Sequence, residues 1–199
     1  MNDIETKLRD AALDLPADTP DLSTRADEEG LLDVAYASVD SPLGPLVVAA
    51  TPRGLVRISY TDFRGDDEVL EELARRVSPR VLEAPARLDP VRRELDEYFE
   101  GRRERFDVPI DWSHLAGFTR EVLRATANIG FGEVSTYAGV AAEAGSPRAV
   151  RAAGNALGSN PMPVVVPCHR ILRSGGALGG YTGGIERKQF LLRLEGALL

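Results

Sequence analysis

The chain has 199 residues, enough for one or two small domains, with 43% hydrophobic and 28% charged side chains and no apolar run long enough to cross a membrane. Its net charge of −7 argues against a nucleic-acid partner for the chain as a whole, but the charge is uneven: residues 1–110 hold 25 acidic and 15 basic side chains, residues 111–199 six and nine. A single cysteine excludes an internal disulfide and a zinc site built on several thiolates, and with only two histidines at no ligand-like spacing, neither metal nor cofactor is expected.

Residues 1–30 carry nine acidic and three basic side chains. Spacing predicts a short amphipathic helix near Ile4–Leu15, interrupted by Pro16, Pro20 and Asp27-Glu28-Glu29, so this segment reads as a solvated, mobile extension. Its start is charged and lacks the apolar centre of a secretory signal, which makes a cytoplasmic location and no membrane partner the expectation.

The pattern changes at Leu32. Val34 to Asp40, Pro45 to Ala50 and Leu55 to Tyr60 read as three strands, joined by Ser41-Pro42-Leu43-Gly44 and Thr51-Pro52-Arg53-Gly54 turns. Turns this tight make an antiparallel meander. Val69, Leu70, Leu73 and Val77 predict a helix over 67–77. A second helix is predicted over 89–99, with Asp89 as N-cap, Pro90 at the first helical position and Gly101 past the end. Phe106 to Ile110 reads as a last short strand, and Trp112 and His114 as linker or interface residues.

Residues 111–199 are rich in alanine and glycine. A helix is predicted over 118–127, stopped by Gly130-Phe131-Gly132. Ser135 is placed as cap of a helix over 136–144, and Ser146 with Pro147 as the start of another running to Leu157. Two short helices around one glycine-containing turn signal a helix-turn-helix, although any helical hairpin can do the same. A loop over 158–184 and a helix over 185–195 follow. The organisation expected is therefore an extension over 1–30, an α/β domain over 31–110 and a mostly helical domain over 111–199.

Two features carry chemistry. The second helix of the pair presents Arg148, Arg151 and Asn155 among Ala149, Ala152, Ala153, Gly154 and Ala156, with nothing acidic between Ser146 and Leu157. Small residues suit a tightly packed core helix equally well; the arginines favour a phosphate-rich partner. Next, Val164-Val165-Val166 reads as a buried strand leading to Pro167-Cys168-His169-Arg170. Cys168 is either a buried structural thiol or a nucleophile activated by its basic neighbours. Neighbours in a strand face opposite sides, so His169 reaches the thiol only through a water or a bend.

Asn160-Pro161, Pro167-Cys168-His169-Arg170, Gly179-Gly180-Tyr181-Thr182-Gly183-Gly184 and Leu191-Leu192-Arg193-Leu194-Glu195-Gly196, at these distances, resemble the O6-alkylguanine-DNA alkyltransferases. The resemblance covers residues 33–196 and is sharpest from Gly132 onward. It implies an α+β fold: a ribonuclease H-like N-terminal domain with a three-stranded antiparallel sheet and helices, then a mostly helical C-terminal domain with a winged-helix-like helix-turn-helix. It further implies direct, stoichiometric and irreversible transfer of an alkyl group from O6-alkylguanine, or O4-alkylthymine, to Cys168.

By the same resemblance His169 takes the thiol proton through a water and Glu195 orients His169. Asn160 braces the turn, and Tyr137 assists the leaving guanine. Arg151 enters the duplex and fills the gap left by the flipped nucleotide, with Arg148, Tyr137, Ala152 and Asn155 on the DNA. Ile171, Thr182, Tyr181 and Pro163 line the base pocket, Thr182 offering its backbone N–H to guanine O6. The implied partner is double-stranded DNA, met in the minor groove with little sequence preference by a monomer. Relatives often have Pro-Tyr-Gly where this chain has Gly130-Phe131-Gly132, and some bind zinc through cysteines absent here. Non-catalytic relatives that only flag damage lack the cysteine; a transcription regulator or a cysteine hydrolase lacks the further parts each would need.

Overall fold

The computed structural model describes residue 25 and residues 29–62 and 65–198. The helix expected near Ile4–Leu15, and nearly all of the 1–30 extension, lie outside these described residues.

Strands β1 (Val34–Val39), β2 (Leu46–Thr51) and β3 (Gly54–Tyr60) form the expected antiparallel meander. Helix α1 (Asp66–Arg76) follows and leads to β4 (Val81–Glu83), which pairs parallel with β1. The sheet is thus four-stranded, in order β3-β2-β1-β4, where three strands were expected. Only three residues long, with Pro79 and Arg80 before it, β4 has too little alternation to be read from sequence. Leu46 and Val48 of β2 face one hydrophobic core, Val47 and Ala49 a second one under Val69 and Leu73 of α1. Burial on both faces explains why β2 is apolar from Leu46 to Ala50 rather than alternating.

Helix α2 (Asp89–Phe99) begins at Asp89 with Leu88 in the capping position, because the 3₁₀ turn Pro85–Leu88 runs directly into it; Asp89 supplies first-turn charge instead of a cap. Residues 106–110 do not make a strand. They touch the sheet only where Leu55 meets Ile110: Leu55 N–H donates to Pro109 O at 2.8 Å, and Asp111 N–H donates to Leu55 O at 3.0 Å. Further along, Ile58 N–H donates to Pro161 O at 2.8 Å. The open edge of β3 is therefore covered by the segment 109–111 and by Pro161 of the second half, which removes an aggregation hazard and brings Tyr60 beside that half.

Trp112–His114 is a 3₁₀ turn between the halves, its Asp111 carboxylate buried and bonded to Thr51, Arg53 and Ser113. Then come α3 (Gly117–Ala127), β5 (Ser135–Thr136), α4 (Tyr137–Glu143), α5 (Val150–Gly158), the 3₁₀ turn Cys168–Arg170, β6 (Ile171–Leu172) and α6 (Ile185–Leu194). Ser135 is not the cap of α4. It pairs in a short parallel ribbon with Ile171, and Thr136 accepts from Gly139 N–H at 3.0 Å. Nor does α5 start at Ser146: residues 146–149 form a turn, so Arg148 precedes the helix that carries Arg151.

Both halves share one core, in which Leu46, Ile58 and Tyr98 join Val122, Val140, Ala153 and Leu191. Phe131 packs edge-on against Tyr98, centroids 6.1 Å apart. Among the described residues no helix is long and apolar enough to cross a membrane.

Candidate active site

The loop 160–168 builds the site. The expected strand at Val164–Val166 is absent, because Pro161, Pro163 and Pro167 deny it backbone donors. The segment coils instead around one amide. Asn160 Nδ2 donates to Val166 O at 2.8 Å and to Cys168 Sγ at 3.2 Å, while Asn160 Oδ1 accepts from Met162 N–H at 3.1 Å. Val164 is held at φ 75°, a conformation that costs a β-branched residue on the order of 1–3 kcal/mol. The Asn160 clamp holds that strain in place.

Cys168 opens the 3₁₀ turn and is 5% exposed. It lines a cavity of about 260 Å³ together with Tyr137, Gly154, Leu157, Tyr181 and Thr182. Burial pushes the Cys168 thiol up to about 11, against the opposing pull of the Asn160 donor and the Lys188 charge. The thiol is therefore protonated at neutral pH until a base removes its proton.

A base sits next to it in sequence. His169 and Glu195, at the C-terminal cap of α6, are completely buried, and His169 Nε2 lies 2.9 Å from Glu195 Oε1. Burial holds the imidazole below its usual range, hence neutral. With Nε2–H donated to the carboxylate, Nδ1 is left as the lone-pair nitrogen, and it is buried without a hydrogen-bond partner among the described residues. Burial would raise the Glu195 carboxyl; hydrogen bonds from His169, Arg170 and Tyr98 outweigh it and bring it down to about 2. Arg170 grips both oxygens, Nε to Oε2 at 2.9 Å and Nη2 to Oε1 at 2.8 Å, and also donates to Ile129 O. Tyr98 reaches across from α2 and donates to Oε1 at 2.5 Å.

Tyr137 stands at the first turn of α4 and lines the cavity. Its hydroxyl would sit 2.8 Å from a Cβ at Gly179, so the loop can cross it only as glycine, which also suits φ 67° there. Tyr181 and Thr182 line this cavity; Ile171 and Pro163 are not among its lining residues. Ile171 is 1% exposed in the shared core, and Pro163 lines an adjoining groove with Tyr60, Pro161 and Thr182.

Arg148, Arg151, Ala152 and Asn155 are exposed, while Ala153, Ala156 and Leu157 are buried against the shared core. α5 packs on α3 and α4 and leaves Arg151 exposed, with Arg148 exposed in the turn before it. Among the described residues neither Arg148 nor Arg151 has a hydrogen-bond or ion-pair partner.

Two groups at the site were not singled out in the sequence, Tyr98 on Glu195 and Lys188, while Arg170, read there as a basic neighbour of the thiol, binds Glu195 instead. Lys188 is fully buried, with Nζ 2.5 Å from Ile171 O and 3.4 Å from Gly180 O, and burial lowers it to about 8. Its spacing from Leu191, Leu192 and Glu195 places it on the inner face of α6, a signal readable in advance. Among the described residues no group of three or more His, Cys, Asp or Glu side chains is placed to hold a metal ion.

A buried thiol and a buried His–Glu pair, set beside a helix and its preceding turn that show Arg151 and Arg148 to solvent, define a nucleophilic site adjoining a surface for a polyanion. Comparison with known proteins agrees. Residues 34–112 match the family model for the ribonuclease-like domain of 6-O-methylguanine DNA methyltransferase, and residues 117–197 the model for its DNA binding domain. The constitutive methylated-DNA–protein-cysteine methyltransferase of Bacillus subtilis is 36% identical over 163 residues, covering 80% of this chain and 94% of that one. The Methanosarcina barkeri protein of the same name is 35% identical over 160 residues, covering 80% and 96%. A crystal structure of Mycobacterium tuberculosis O6-methylguanine methyltransferase superposes with a TM-score of 0.70 at 34% identity, covering 83% of this chain and 94% of that one. The M. tuberculosis protein OGT in complex with DNA gives 0.68 at 35% identity, covering 81% and 92%. The chain belongs to the O6-methylguanine DNA methyltransferase family.

Proposed function

We propose that this protein repairs alkylated DNA by taking the alkyl group from O6 of guanine, or O4 of thymine, onto Cys168. The observation that carries the reading is the buried relay: a thiol held by Asn160, and a neutral His169 whose Nε2 is tied to Glu195 and whose Nδ1 is free. The thiol proton passes through one water to His169 Nδ1, and Glu195 stabilises the imidazolium that results. A bond forms from Sγ to the alkyl carbon as the carbon–O6 bond breaks. The electron pair goes to the guanine oxygen, whose charge Tyr137 and the Thr182 backbone N–H stabilise by donating hydrogen bonds. The product thioether does not hydrolyse, so each molecule reacts once.

In this reading residues 111–199 bind double-stranded DNA as a monomer in the minor groove, and residues 31–110 brace the site. The target base is buried in the duplex, so it must be flipped out, at a cost of a few kcal/mol. Arg151 enters the stack and offsets part of that cost, and the exposed Ala152 lets α5 approach closely. Arg148 and Asn155 contact the backbone.

Intact-mass measurement after incubation with an oligonucleotide containing O6-methylguanine tests this. The expected result is one added methyl per protein, located on Cys168 and absent in Cys168→Ser. Tight binding without mass gain would instead mark a damage-flagging protein, and repeated turnover would contradict the mechanism.

A further inference from the structure

The wall of the Cys168 cavity formed by Gly180, Tyr181 and Thr182 is held from behind by residues that do not line the cavity. Tyr60, at the end of β3, places its hydroxyl 2.9 Å from the Tyr181 hydroxyl, with the rings edge-on at 6.4 Å. Arg187, on α6, lies 4.3 Å over the Tyr60 ring. Its guanidinium donates to Gly183 O at 3.0 Å, to Leu43 O at 2.6 Å and to Asp62. Gly183 lies so close that a Cβ there would meet the Tyr60 ring at 2.5 Å. One tyrosine and one arginine thus bind the wall to the turn and strand end of the sheet-bearing half.

We propose that Tyr60 and Arg187 are specificity-determining positioning residues: by tying the loop 180–183 to the sheet, they fix the width of the Cys168 cavity and restrict it to small alkyl groups. This rests on the alkyl-transfer reading above. At about 260 Å³ the cavity lies below the usual range of roughly 300–1,000 Å³ for small-molecule sites. A base carrying a methyl group needs little more room, whereas a benzyl group needs the wall to move outward. The wall cannot move while the Tyr181 hydroxyl is bonded to Tyr60 and the Gly183 carbonyl to Arg187. Tyr60 also packs at 6% exposure in the shared core, so its ring is not free to follow the loop.

The test compares single-turnover transfer from O6-methylguanine and O6-benzylguanine in the same duplex oligonucleotide, for the wild-type chain, Tyr60→Phe and Arg187→Met. Each variant releases one tether without touching the cavity lining. The expected result is a benzyl-to-methyl rate ratio raised about tenfold, the scale by which small size differences in a pocket are discriminated, with methyl transfer close to wild type. A merely structural role moves the melting temperature and lowers both rates together; that outcome, or an unchanged ratio in both variants, overturns the proposal. If one variant fails to fold, the other decides. Wild-type methyl transfer is measured first: its absence removes the functional reading itself, whereas its presence with an unmoved ratio removes only the role given to Tyr60 and Arg187.

Discussion

Tyr98 and Glu195, 97 residues apart in sequence and on opposite sides of the junction between the halves, share a hydrogen bond of 2.5 Å with both side chains removed from solvent. Through it the sheet-bearing half fixes one oxygen of the carboxylate that orients His169. The consequences of breaking it differ by partner. Tyr98→Phe removes one charge-assisted hydrogen bond but leaves Arg170 and His169 on the carboxylate, at a cost of about 2 kcal/mol. Glu195→Ala strands the Arg170 guanidinium, which is 7% exposed, and should cost roughly 3–5 kcal/mol. Urea denaturation of the two variants at pH 7 measures both; equal losses would show that Glu195 is not the hub of the network. A carboxyl held at about 2 also stabilises the fold at every pH above the ordinary carboxylate value, and that contribution is lost as pH falls from about 4 through 2. His169, held below its usual range, adds to the loss on the same side, because the unfolded chain takes up its proton first as pH drops below about 6.5.

How far the sequence foretells this site depends on chain distance. Cys168 and His169 are readable from their own chemistry, and Asn160 and Glu195 only through the family resemblance that their spacing carries. The antiparallel meander is readable too, because its turns are local and chemically explicit. The conformation of 160–168 is not readable, since three valines in a row look like a strand until Asn160 is known to bond Val166 O across the loop. Tyr98 reads only as one more apolar position of α2, and its hydroxyl has a purpose only once α2 lies against α6. Lys188 could have been found from its inward spacing, but a charged side chain on a helix is by default a solvated one. Ser146 and Pro147 make a good local helix start, but the chain uses them for a turn and begins α5 at Val150.

The relay makes a prediction about pH and rate. With the Cys168 thiol pushed up to about 11, only about one molecule in ten thousand carries a thiolate at pH 7 if the sulfur ionises by itself. Transfer would then climb about tenfold per pH unit between 7 and 10. If His169 takes the proton, the reacting state is thiol plus neutral imidazole, whose population is constant over that range. Reaction with free O6-methylguanine is therefore expected to be nearly flat with pH in the wild-type chain, and to show the tenfold-per-unit climb in His169→Gln. A steep wild-type profile would falsify the relay without touching the identity of the nucleophile.

Arg151 and Arg148 separate two ways of holding DNA. Both are exposed and unpaired among the described residues, but Arg151 lies on α5, one position before the exposed Ala152, while Arg148 sits in the turn before the helix. A side chain on the helix can enter the stack when the helix lies in the groove; one in the preceding turn is placed for a phosphate. Arg151→Ala should slow transfer from duplex O6-methylguanine by about tenfold or more, since the cost of flipping, a few kcal/mol, is no longer partly offset. Reaction with free O6-methylguanine, which needs no flipping, should stay near wild type. Arg148→Ala should instead weaken binding to any duplex about equally and reduce the slope of log affinity against log salt by about one. Parallel losses on duplex and free base in Arg151→Ala would mean that the residue supports the fold of α5 and does not enter the duplex, because α5 also carries Leu157, which lines the cavity, and its distortion would slow every substrate alike.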